Sequence, residues 1–208
     1  MTRRGLSVAA AILLAAAIAM VAVTKLLAAR GPTCPVGPPA APGRPTTVTL
    51  IPDGFDSRHV GHLPDGRQFF LTTPFDPGGS DFVALYLFDP CGALLEARID
   101  DLGPRPSGFE PEPEPVSGSL WKRYAALWKQ YNDLRKRVVA VNTRYDARLA
   151  ELGDVTFDSI VVQPFAIERY GLTFGFIGEQ GEGRWTVSVE PGNYMVFYEP
   201  WDSGIYDT

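Results

Sequence analysis

The chain is short of the side chains from which most active sites are built. Its 208 residues include only two histidines and two cysteines. No Cys/His spacing suited to a zinc site occurs, which excludes the familiar structural zinc modules. There is no Gly-x-Ser-x-Gly elbow and no glycine loop leading into Lys-Ser/Thr, so neither a nucleophile-elbow hydrolase nor a phosphate-cradling fold is indicated. Ser119-Leu120-Trp121-Lys122 matches Ser-x-x-Lys, but the partner motifs of penicillin-recognising enzymes are missing and Ser119 serves as a helix cap. Net positive charge is also lacking: the formal charge is −5, which argues against nucleic acid as a partner. No cofactor, catalytic residue or metal ligand is assigned from the sequence.

What is present begins with an uncharged apolar run at residues 6–24, preceded by Arg3 and Arg4 and followed by Lys25 and Arg30. A helix needs ~20 apolar residues to cross a bilayer, and no convincing small-x-small cleavage site follows. The expectation is a membrane, single-pass protein: a stub at 1–5, a signal anchor at 6–29 using the lipid bilayer as partner through 6–24, and the remainder outside the cytoplasm. Residues 30–46 carry Pro32, Pro35, Pro38, Pro39, Pro42 and Pro45 and read as an extended spacer.

Residues 119–152 hold the one long helical pattern after the N-terminus. From Tyr124 the apolar positions are Leu127, Tyr131, Leu134, Val138, Val141 and Tyr145, alternating steps of three and four. That is the 3.5-residue period of a helix seam. Gly153 suits the left-handed residue that ends a helix. Lys122, Arg123, Lys129, Arg135, Lys136 and Arg137 make the other faces basic, a candidate interaction surface for an acidic partner, or a solvated face. The heptad face leaves a homodimer through the long helix open.

On either side of the helix the patterning is β: strands within 47–102 and 155–198, with a Pro/Glu-rich loop at 103–118 and a tail at 199–208. In the stretch 82–88, Phe82, Ala84, Tyr86 and Phe88 share one face and Val83, Leu85 and Leu87 the other, so the strand should be buried on both sides. Pro64-Asp65-Gly66 and Asp89-Pro90-Cys91-Gly92 read as hairpin turns. The fold class expected is α+β: after the N-terminal transmembrane helix, one antiparallel-sheet domain at 47–208 packed around a single long central helix. His59 and His62 form His-x-x-His with Asp56 and Asp65 nearby, but on a strand positions i and i+3 face opposite ways. Cys34 and Cys91 can form a disulfide if the domain is exported.

His59-Val60-Gly61-His62 through Asp65-Gly66-Arg67-Gln68-Phe69-Phe70-Leu71-Thr72-Thr73-Pro74-Phe75, with Leu85-Tyr86-Leu87-Phe88-Asp89, resembles a module of uncharacterised bacterial membrane-anchored proteins. The resemblance implies no activity. The leading functional expectation is a membrane-tethered binding module with an unknown protein partner. One alternative is a small envelope hydrolase using His59, His62 and neighbouring carboxylates. Another is a cytoplasmic-side regulator whose basic helix contacts anionic lipid or nucleic acid.

Overall fold

Alternating apolar side chains and short turn motifs build most of the structure, a computed structural model that describes residues 34, 43–76, 79–104, 120–181, 183–201 and 204–205. The chain divides into two units, Met1–Val36 and Gly37–Thr208; the elements below belong to the second. In chain order they are β1 (Val48–Leu50), β2 (His59–His62), β3 (Gln68–Thr72), β4 (Ser80–Phe88), β5 (Leu94–Pro104) and α1 (Leu120–Ala150). Then come β6 (Thr156–Phe157), β7 (Ile160–Val162), β8 (Phe165–Arg169), β9 (Leu172–Gly181), β10 (Arg184–Glu190), β11 (Val196–Phe197) and β12 (Gly204–Ile205).

The strands form two antiparallel five-stranded sheets, β5-β4-β3-β2-β6 and β12-β11-β10-β9-β8, and a two-stranded ribbon, β1-β7. β4 is buried on both faces, and its alternation sorts the two cores. Phe82, Ala84, Tyr86 and Phe88 join Phe70, Phe174, Phe176, Val187, Val189 and Phe197 between the two large sheets. Aromatic edges lock this layer: Phe82 meets Phe174 at 5.0 Å and 90°, and Tyr86 meets Phe165 at 5.4 Å and 63°, geometries that favour the ring quadrupoles. On the opposite face Val83, Leu85 and Leu87 join Phe69, Leu71 and Leu152, with Val141, Tyr145 and Leu149 of α1 packed against them.

These layers correct the expected fold class. The organising core lies between two sheets, and α1 is an outer layer on the first sheet rather than the element a single combined sheet wraps around. The physical reason lies in β3 and β4: their aromatic face takes up a second sheet, while the aliphatic face admits the ridges of a helix. Of the strands after α1, only β6 extends the first sheet, pairing with β2 through Gly61↔Phe157 and His62↔Thr156.

The membrane reading is corrected as well. Among the described residues no helix is long and apolar enough to cross a membrane; residues 6–24, to which the crossing is assigned, lie outside the described residues. The described residues are β-rich with one helix, and the signal-anchored, single-pass description has no counterpart among them. Most of the spacer and residues 105–119 of the loop and helix start also lie outside the described residues.

Turn chemistry fixes the hairpins. At 63–67 Gly66 adopts φ +88° and donates to the Leu63 carbonyl, while Asp65 accepts from the Arg67 amide at 3.0 Å. At 89–93 the Asp89 carboxylate accepts from the amides of Cys91 and Ala93, at 2.8 and 2.9 Å, an Asx turn. Gly92 there has φ +83°, and a Cβ on it would stand 2.4 Å from the Val161 carbonyl. That turn docks on β7: the Gln163 amide donates to the Gly92 carbonyl and Gln163 Nε2 to the Cys91 carbonyl.

Candidate interaction surface

Good helix formers dominate the first half of α1, where Ala125, Ala126, Leu127, Lys129, Gln130, Leu134, Arg135 and Lys136 are grouped. The helix has 31 residues, about 46 Å at 1.5 Å per residue. Among the described side chains, Val141, Tyr145 and Leu149 of its second half are seated on the first sheet. At the seated end a set of charges joins it to β5. Arg148 holds Asp100 through both oxygens, at 2.7 and 2.9 Å, the bidentate geometry suited to guanidinium and carboxylate. Arg98 donates to Glu96 at 2.8 Å and to Glu151 at 2.8 Å. The Arg98 guanidinium holds the Glu96 and Glu151 carboxyls below their ordinary range.

Arg137 marks the edge of this seat. Its Nε donates to Asp81 Oδ2 at 3.0 Å, and its other nitrogens donate to the carbonyls of Leu102 and Gly103 at the end of β5. Around and before this point the described seam residues are about half-exposed. Leu127, Trp128, Tyr131, Leu134 and Val138 are 45–56% exposed, and Tyr124 and Val139 are each 57% exposed. Tyr124, Trp128 and Tyr131 stack in sequence, with ring centroids 6.4 and 5.6 Å apart and planes within 11° and 26°. A monomer seldom exposes a contiguous apolar patch beyond a few hundred Å² unless something covers it in use.

The six basic residues singled out from the sequence differ in their surroundings. Arg137 is committed to Asp81 and the end of β5. Lys129, Arg135 and Lys136 are exposed, with Lys136 only 3.8 Å from Asp133, a surface pair worth little. The side chains of Lys122 and Arg123 lie outside the described residues. The apolar stripe between these cations is therefore the larger feature. Its period was visible in the sequence, but whether a sheet covered it was not.

The two histidines are kept apart. His59 pairs with Leu71 and His62 with Gln68 across β2 and β3, and their side chains leave opposite faces of the strand. His59 Nδ1 lies 2.6 Å from the Tyr145 hydroxyl, which in turn lies 3.1 Å from the Leu71 carbonyl. A hydroxyl has one proton and a carbonyl can only accept. Tyr145 thus donates to Leu71, and His59 carries its proton on Nδ1 and donates to Tyr145. Burial, then Arg58, lowers the His59 pKa below its ordinary value, while burial pushes the Tyr145 hydroxyl up to about 12. The ring also rests 5.3 Å from Phe157. The arrangement ties β2 to α1 with neutral groups.

Among the described residues no group of three or more His, Cys, Asp or Glu side chains could hold a metal ion. Cys34 and Cys91 are both disulfide-bonded and neither is free. Compared with protein-family models, curated proteins and solved structures, the chain matches none.

Proposed function

We propose that this protein is an interaction module whose docking element is the overhanging first half of α1. The observation that carries the reading is the exposed seam Leu127, Trp128, Tyr131, Leu134 and Val138, continuous with the part of the same seam that the first sheet already covers. A half-covered seam is a partner site: its unused part offers aromatic anchors of the kind that dominate binding energies. The disulfide-bonded state of Cys34 and Cys91 supports work in an oxidising compartment, where such bonds persist. The His59–Tyr145 bond gives this histidine a structural part, joining β2 to α1.

The test is a photo-activated cross-linker installed at Trp128 in the cell, with the same group at Lys136, on the far side of the helix from the seam, as control. A discrete adduct from position 128 and none from 136 is expected. Equal or absent labelling at both positions would contradict the reading.

A further inference from the structure

The occupant of the seam can be named, an inference that rests on the interaction reading above: we propose that the overhang pairs with the same stretch of a second copy of this chain, antiparallel, as a short two-helix coiled coil.

Three observations support a second copy. The first is the period. Tyr124, Leu127, Tyr131, Leu134 and Val138 keep alternating steps of three and four, the spacing that two supercoiled helices require. The second is area. Three half-exposed aromatic side chains together with Leu127, Leu134 and Val138 present on the order of 600 Å², within the range that approaches the ~800 Å² per partner of a stable interface. The third is self-complementarity. Aromatic and aliphatic residues alternate along the seam, and an antiparallel pair sets each against the other kind. With the two-fold near Lys129, Tyr124 meets Leu134 of the second copy and Leu127 meets Tyr131 of the second copy.

Orientation follows from the seated half. From Val141 onward the seam is occupied by the first sheet, so a parallel partner would carry its own sheet into that of its mate. It would also stack Tyr124 and Tyr131 on themselves. Antiparallel pairing sends the two sheets to opposite ends. Among the described residues the charges beside the seam are Arg135, which is exposed, and Arg137, which is held by Asp81. Gln130 flanks the seam near the two-fold, and Lys129 and Lys136 take the outward heptad position.

The test is sedimentation equilibrium of the full chain from about 1 to 100 µM, far enough to detect the micromolar pairing a short coiled coil gives. The wild type should be dimeric at the upper end. Leu127→Glu/Leu134→Glu should weaken pairing at least 100-fold while keeping the wild-type circular dichroism spectrum. Lys136→Glu should pair as the wild type does. Nitroxide labels on Gln130→Cys should lie close together across the dimer, and labels on Val139→Cys should be separated by about 30 Å along the helix axis.

Short distances at both label positions would overturn the antiparallel arrangement, and a dimer indifferent to the double glutamate would overturn the seam as its site. A wild-type monomer at 100 µM would overturn self-pairing, as would a monomer that floats with anionic vesicles through the same stripe. A monomer whose Trp128 position still cross-links to a different protein would leave the interaction reading standing. A monomer with no adduct would remove both.

Discussion

Arg137 and Asp81 are joined at 3.0 Å with side chains only 13% and 18% exposed, and this pair stands where the helix leaves the sheet. From Val141 onward the seam is packed; up to Val138 it is half-exposed. The same guanidinium also caps the carbonyls of Leu102 and Gly103, so one fork-shaped donor reaches three acceptors. Arg137→Ala should cost about 2–4 kcal/mol, because a largely buried carboxylate and two carbonyls lose this cation. Arg137→Lys should recover less than half of that, since an ammonium cannot span the three acceptors. Urea unfolding with a double-mutant cycle against Asp81→Ala checks both values.

Gln68 links the first sheet to the ribbon. It is 3% exposed, accepts from the Val161 amide at 2.8 Å and donates to the Asp89 carbonyl at 2.8 Å. Gln68→Leu fills similar volume but leaves the Val161 amide without this acceptor. The expected loss is about 1–3 kcal/mol, read from the midpoint of denaturant unfolding with an unchanged slope.

His59 makes stability depend on pH. Its folded pKa lies below the ordinary value of 6.5, so as pH falls through that region the unfolded chain takes up a proton the folded chain resists. The contribution is therefore fully present above pH 6.5 and declines as pH drops below it. Asp56 acts in the opposite sense and lower, since burial and Asp53 raise its pKa above 3.8. Unfolding free energies measured from pH 7.5 to 5.5 should fall with pH in the wild type, and the slope should flatten in His59→Gln.

Local signals carried much of this structure. The alternation of Phe82 to Phe88 indicated a strand buried on both sides, Pro64-Asp65-Gly66 and Asp89–Gly92 marked their turns, and Gly153 ends the helix region at φ +67°. Each depends on neighbours in sequence. Long-range pairing is not encoded that way. Nothing near Thr156 and Phe157 indicates a return to β2, where a Cβ on Gly61 would strike the Thr156 carbonyl at 2.0 Å. Nor could spacing reveal that the aromatic face of β4 meets a second sheet while the aliphatic face meets α1.

Part of the positive charge of the helix is engaged within the fold, and that too was hidden in the sequence. Arg137, Arg144 and Arg148 stand seven and four residues apart, a spacing that groups them on one side of a helix. Their acidic partners Asp81 and Asp100 lie on strands about 40 to 60 residues earlier, at separations no local pattern reports. The seam was readable as a heptad, but its division at Arg137 required the fold.

Amide hydrogen exchange along α1, followed as the full chain is diluted from 100 to 1 µM, tests the central claim most directly. Amides of 124–138 should be protected at high concentration and lose that protection on dilution, while those of 141–150, seated on the first sheet, should stay unchanged. Equal protection of both halves at every concentration, or free exchange of 124–138 at 100 µM, would contradict a seam held half by the sheet and half by a second copy.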